Sequence, residues 1–123
     1  MKSFKIIGGK QLSGSVIPQG AKNEALQVIS AVLLTKQKIT IKNIPIIIDV
    51  MCLIDILKGL GVIVKKIHNN TFSFEAININ LDYLKTDEFK KNSKKIRGSI
   101  MIIGPILARC GTVILYPPGG DKI

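Results

Sequence analysis

Four residues combine a type and a setting from which chemistry could be done. They are Lys22 and Asn23 in the run Gly20-Ala21-Lys22-Asn23, Arg97 after Lys94-Lys95, and Asp121 after Pro117-Pro118-Gly119-Gly120. Lys22 and Asn23 fall where a strand gives way to a helix. A helix N-terminus presents unpaired N–H groups and a partial positive charge, and so attracts anions. Lys22 adds a full positive charge to that first turn, a placement the helix dipole disfavours unless an anion sits nearby. Local physics alone favours a solvated Lys22 with Asn23 as a cap. Arg97 repeats the electrostatic situation at the start of a later helix. A guanidinium in a lysine-biased chain hints at a use for its fork geometry, although two arginines also fit chance. The glycines before Asp121 allow a backbone that can bring a carboxylate onto a substrate, although a surface-loop Asp is the plainer account. Arg109, at the end of the helix that Arg97 opens, complements the dipole there and is given no role. His68 beside Asn69-Asn70 reads as a solvated turn histidine, and Cys52 and Cys110 stand in no metal-like spacing.

These residues need elements to hold them. Phe4–Ile7 and Leu12–Ile17 read as short strands, stopped by Gly8-Gly9 and Pro18. From Ala21 to about Leu34 the period becomes helical, with Leu26, Ile29 and Leu33 on one face and Ala25 and Val32 flanking. Lys38–Lys42 alternates as a half-buried strand. Asp49 is placed to cap a second helix whose stripe is Val50, Leu53, Ile54 and Leu57, closed by Gly59 and Gly61. Val62–Ile67 and Thr71–Glu75 make a hairpin around Asn69-Asn70, and Ile77–Leu81 adds a short strand. Asp82–Lys95 reads as a turn or loop. A third helix then buries Ile96, Ile100, Ile103 and Leu107, kinked or interrupted at Gly104-Pro105, and Thr112–Leu115 is a last strand. This order predicts a mixed α/β fold with helices on one face of small sheets.

Composition narrows the function classes. The 123 residues carry 18 Lys+Arg against 8 Asp+Glu, a net charge of +10. Sixteen of the basic residues are Lys, and Ile, Lys and Asn together make 46 of the 123 residues, a bias that follows AT-rich codons. A nucleic-acid face leans on Arg and interleaved aromatics, and here aromatics are 5% and stand apart from the charges. No stretch without a charge exceeds 11 residues, as in Ala25–Thr35 and Gly98–Ala108, well short of the roughly 18 that span a bilayer. The start turns polar at Gly8-Gly9-Lys10 before a signal-peptide core could form. A soluble, cytoplasmic protein with reduced thiols is expected.

Three runs occur in a specific order: Gly-Ala-Lys-Asn-Glu-Ala-Leu at 20–26, Arg-Gly-Ser-Ile-Met-Ile-Ile-Gly-Pro-Ile-Leu-Ala-Arg at 97–109, and Pro-Gly-Gly-Asp at 118–121. Together they resemble the UDP-N-acetylglucosamine 1-carboxyvinyltransferases, an enolpyruvyl transferase family. The resemblance covers all 123 residues, but less than the first third of the family's usual length. It implies a fold of repeated units, each a small four-stranded sheet with two helices (an inside-out α/β barrel), arranged in two domains with the active site between them. It further implies that residues 1–20 are opening strands of one domain, and that 21–123 begin the other.

The implied reaction moves the enolpyruvyl group of phosphoenolpyruvate onto the 3-hydroxyl of UDP-N-acetylglucosamine, with neither a metal nor an organic cofactor. Partners are then the two small-molecule substrates, without nucleic acid, membrane or an obligate protein. By position in the motifs, Lys22 matches the lysine that grips phosphoenolpyruvate and Asn23 its neighbour. Arg97 matches an arginine at the UDP-sugar site, where a guanidinium suits diphosphate oxygens. Asp121 takes the mobile-loop position of the proton donor, where most of the family has Cys and some members have Asp. A carboxylate is a poorer target than a thiolate for an epoxide, so insensitivity to fosfomycin, which alkylates that Cys, is expected. The 123 residues alone are expected to be inactive. The competing readings are a shikimate-pathway enolpyruvyl transferase, a small basic RNA-binding domain and a non-catalytic remnant.

Overall fold

Residues 2–119 are described by the computed structural model. The helical spacing from Ala21 onward is turned inward as expected. Helix α1 (Lys22–Ala31), continued by a 3-10 turn at Val32–Leu34, buries Ala25, Leu26, Ile29, Val32 and Leu33. Strand β1 (Ile39–Ile41) leads to helix α2 (Ile48–Gly59), whose stripe of Val50, Leu53, Ile54 and Leu57 is wholly buried. Leu60 ends the helix, and Gly61 follows at φ 89°, a left-handed turn that favours glycine. Strands β2 (Ile63–His68) and β3 (Thr71–Glu75) form the expected hairpin, with an irregularity between Lys66 and His68. The antiparallel sheet runs β1-β3-β2, pairing Ile39 with Phe74 and Ile41 with Phe72. Phe72 and Phe74 lie two residues apart and so share a face; they are buried in one core with the apolar sides of α1 and α2. This is the mixed α/β layering read from the sequence, and the described residues supply three of the four strands that the resemblance implies.

Several expected elements do not form. Residues 2–20 carry no strand, and Phe4, Ile6, Leu12, Val16 and Ile17 are each at least 90% exposed. A strand needs a neighbour to satisfy its backbone and cover its apolar face, and none of the described strands pairs with this segment. Ile77–Leu81 is no strand either. The Asn80 side chain accepts from the Asp82 N–H and opens a 3-10 turn at Leu81–Lys85, a local bond that competes with pairing. Within the supposed loop Asp82–Lys95 lies helix α3 (Asp87–Ser93). Thr86 caps it by accepting from the Phe89 N–H at 3.2 Å, Asp87 and Glu88 fill its first turn, and Phe89 is buried. Thr112–Leu115 also lacks strand pairing: none of the described strands pairs with it, although β1 and β2 each keep a free edge.

The third helix forms with a different inner face. It begins as a 3-10 helix, Arg97–Ile102, and becomes α4 (Ile103–Cys110). With three residues per turn, Ile96, Ser99 and Ile102 stack on one side; the α-helical period then selects Ile106. Ile100 and Leu107, expected inside, are therefore about half exposed. Ser99 is tolerated inside because its hydroxyl donates to the carbonyls of Ser93 and Ile96, each at 3.0 Å. Pro105 sits in the first turn of α4, where its missing N–H has no intrahelical partner to lose.

Candidate active site

Two helix starts are drawn together by one loop. Gly20 packs against the Asn43 carbonyl so closely that a side chain there would collide with it, and this pins the approach to α1. Asn43 itself holds φ at 58°, a left-handed conformation that Asn tolerates better than most residues. Ile44 then donates its N–H to the Asn70 carbonyl at 2.9 Å, tying the loop to the hairpin turn. Pro45, buried, directs the chain into α2. The first turn of α2 thus faces the first turn of α1.

The outcome is an ion pair between Lys22 Nζ and Asp49 Oδ2 at 3.0 Å, with the side chains 48% and 38% exposed. Asp49 is not the cap that the sequence predicts. The residue preceding α2 is the extended Ile47, and the Asp49 carboxylate reaches across to Lys22 instead. Asn23 is not a cap either, since Ala21 occupies that position. Neither Ala21 nor Ile47 offers a side-chain acceptor, so the first-turn N–H groups of both helices lack side-chain caps.

Arg97 closes the constellation from the third side. It opens the 3-10 helix, and the next residue, Gly98, lies on Leu26 of α1, where an added Cβ would be 2.7 Å from the Leu26 side chain. The missing side chain lets the two elements approach. Lys22, Asn23, Asp49 and Arg97 line a single cleft of about 350 Å³, completed by Leu26, Gln27, Gly98, Ile100 and Met101. Arg97 is exposed, and its guanidinium has no ion-pair or hydrogen-bond partner among the described residues. The cleft therefore carries two cations, one carboxylate and an apolar wall, a setting suited to an anionic ligand with a less polar portion.

The other arginine has a different occupation. Arg109 donates to the carbonyls of Leu33 at 2.9 Å, Thr35 at 3.2 Å and Ile77 at 2.9 Å. It closes the end of α1 against α4 and the irregular segment after β3, a role that dipole complementarity does not foresee. Asp121 lies outside the described residues. Sequence reasoning assigned Asp49 to a cap and passed over Gln27 and Gly98; an acid in a helix's first turn gives no sign of which other element it will meet.

Elsewhere, Cys52 is buried, and desolvation raises its thiol pKa above the ordinary range; its Sγ lies 3.7 Å from the Asn92 carbonyl. No group of three or more potential metal ligands gathers among the described residues, and none of their helices is long and apolar enough to cross a membrane.

The family model for EPSP synthase (3-phosphoshikimate 1-carboxyvinyltransferase) matches residues 6–123. The chain is 50% identical over all 123 residues to a UDP-N-acetylglucosamine 1-carboxyvinyltransferase of Porphyromonas gingivalis. It is 51% identical to one of Bacteroides thetaiotaomicron, again over all 123 residues. It is 41% identical over 120 residues to one of Bradyrhizobium diazoefficiens. The chain spans 27–28% of the length of these curated relatives. In fold it is similar to the crystal structure of the enolpyruvyl transferase NikO from Streptomyces tendae, with a TM-score of 0.60 and 23% identity over 85% of this chain and 23% of that one. Matched by the family model from residue 6 to residue 123, and folded like an enolpyruvyl transferase, the chain belongs to the EPSP synthase family of carboxyvinyltransferases.

Proposed function

We propose that a protein carrying these residues transfers the enolpyruvyl group of phosphoenolpyruvate to the 3-hydroxyl of UDP-N-acetylglucosamine, with release of phosphate. The observation that carries this reading is the shared cleft. Lys22, Asn23 and Arg97, far apart in the chain, line one space of about 350 Å³. Lys22, with first-turn N–H groups beside it, supplies the positive charge for the phosphate of phosphoenolpyruvate, and Asn23 flanks it. Arg97, uncommitted among the described residues, takes diphosphate oxygens of the sugar nucleotide. Asp121 donates the proton to the enolpyruvyl methylene, which requires its carboxyl to be protonated near neutral pH by burial beside the bound phosphate.

Residues 1–20 are read as strands of a second domain. The exposed apolar side chains of Phe4, Ile6, Leu12, Val16 and Ile17 support this, since they have no sheet to join among the described residues. Turnover then needs chain beyond these 123 residues, and the enzyme works in the cytoplasm without metal or organic cofactor. The family model is named for a shikimate-3-phosphate acceptor, whereas the relatives at 50–51% identity are named for UDP-N-acetylglucosamine, which favours the sugar nucleotide.

The test is phosphate release from phosphoenolpyruvate by a full-length chain carrying these residues, with each acceptor offered separately. Turnover with UDP-N-acetylglucosamine and none with shikimate 3-phosphate is expected. Turnover with shikimate 3-phosphate alone would replace this reading by its rival. In the same assay, Lys22→Met should raise KM for phosphoenolpyruvate.

A further inference from the structure

The cleft holds one group for which the proposed reaction has no use. Among the described residues Asp49 is the only carboxylate that lines the cleft, and it places a negative charge where an anion is to bind. By Coulomb's law alone it should weaken that binding. Its partner is nevertheless specific. Asp49 Oδ2 lies 3.0 Å from Lys22 Nζ, across 27 positions of sequence and between the first turns of two different helices. An acid in that turn would complement the dipole of α2 equally well facing solvent. Here it faces the lysine.

Resting on the reading of Lys22 as the phosphoenolpyruvate lysine, we propose that Asp49 is a positioning residue. Its carboxylate holds the Lys22 ammonium at the mouth of the cleft and leaves the ammonium's other N–H donors for the arriving phosphate. A lysine side chain is long and freely rotating, with three donors and no fixed geometry. With about half of its side chain exposed, Lys22 is restrained only in part by packing, and the ion pair supplies the rest of the selection. The pinned loop from Gly20 through Asn43 to α2 keeps the two first turns in reach of each other before any ligand binds. Order established in advance need not be drawn from the binding step.

The charge sign makes the idea testable. Removing Asp49 takes away a repelling carboxylate, so a purely electrostatic role predicts tighter binding of phosphoenolpyruvate. A positioning role predicts weaker binding. In the full-length chain, Asp49→Ala should raise KM for phosphoenolpyruvate about tenfold, the order expected when a charge-assisted hydrogen bond is lost, with a smaller change in kcat and none in KM for the second substrate. The double variant Lys22→Met/Asp49→Ala should be no worse than Lys22→Met, since the effect runs through the lysine. Thermal unfolding accompanies each variant, and if Asp49→Ala does not fold, Asp49→Asn is read by the same criteria. A phosphoenolpyruvate KM that stays the same or falls on loss of Asp49, while Lys22→Met raises it, overturns the positioning role and leaves the lysine reading intact. A KM unmoved by Lys22→Met overturns both.

Discussion

The guanidinium of Arg109 donates to the Leu33 carbonyl at 2.9 Å, joining α4 to the end of α1 across 76 positions of sequence. The same fork reaches Thr35 and Ile77, so one side chain satisfies three carbonyls left over where secondary elements end. Lysine cannot copy this, having a point charge where arginine has a planar fork. Arg109→Lys is expected to lower stability by about 1.5–3 kcal/mol, the range for hydrogen bonds to a charged group. Chemical denaturation with the midpoint and slope both recorded decides it: an unchanged midpoint would show that the clamp contributes nothing net.

Gly59, the last residue of α2, lies directly under the ring of Tyr83, and a Cβ added there would run into that ring. Replacing a helical glycine by alanine ordinarily stabilises, by about 0.5–1 kcal/mol. Here the sign should reverse. Gly59→Ala must displace Tyr83, which is buried against Phe89 with ring centroids 5.7 Å apart, so a loss of about 1–3 kcal/mol is expected. A melting temperature that rises would show that the ring moves aside freely.

The two thiols should separate by access. Cys52 is buried and Cys110 only partly so. Burial, the largest influence on Cys52, holds its thiol in the neutral form above its ordinary pKa, opposed by Lys95 and assisted by Asp55 and Asp49. Because the folded-state value is raised, the stability this group contributes is present below the unfolded thiol's pKa. It is lost as pH rises through the folded value. Iodoacetamide labelling followed by mass spectrometry should therefore modify Cys110 first, with Cys52 reacting only in alkaline solution or on unfolding. Equal labelling of both at neutral pH would contradict the burial.

Period-based reading succeeded where one period governs a whole element and a core lies beside it. The stripes Leu26-Ile29-Leu33 and Val50-Leu53-Ile54-Leu57 are buried as written. It failed at the third helix because the period changes inside the element, from three residues to 3.6, and every later position rotates with it. Helix α3 was missed for a different reason. Seven polar-rich residues with one buried Phe89 give almost no periodicity, and only the Thr86 cap and the acids after it mark the start. Phe4–Ile7 and Leu12–Ile17 alternate as strands do, yet alternation specifies a face without supplying what covers it. In the cleft, Lys22 and Arg97 were legible from charge and setting. Asp49 was not, because its partner is fixed by the bend at Asn43 and the close approach at Gly20.

Arg97 tests whether the second cation in the cleft serves the sugar nucleotide. Among the described residues its guanidinium is uncommitted, so its loss should cost binding without costing stability. In the full-length chain, Arg97→Ala is expected to raise KM for UDP-N-acetylglucosamine by about ten- to a hundredfold, the span of one or two charge-assisted hydrogen bonds, with the melting temperature unmoved. Arg97→Lys should recover part of it, keeping the charge and losing the bidentate geometry. An effect confined to phosphoenolpyruvate would reassign the residue to the other substrate.

Asp121 makes the sharpest chemical prediction. The resemblance to the UDP-N-acetylglucosamine 1-carboxyvinyltransferases implies that Asp121 stands where most of them have a cysteine, whose thiolate opens the epoxide of fosfomycin. A carboxylate is the weaker nucleophile toward that ring, and an Asp that acts as an acid must spend its time protonated, which weakens it further. The full-length protein should therefore keep its activity in fosfomycin, whereas Asp121→Cys should lose activity with time and gain the mass of one inhibitor molecule. A cysteine can take over the proton donation, since its thiol pKa is reachable from neutral pH, so the variant should stay active in the absence of inhibitor. Equal inactivation of both proteins would remove Asp121 from the role of proton donor at the alkylated position, and Asp121→Asn retaining full turnover would remove it from the chemistry altogether.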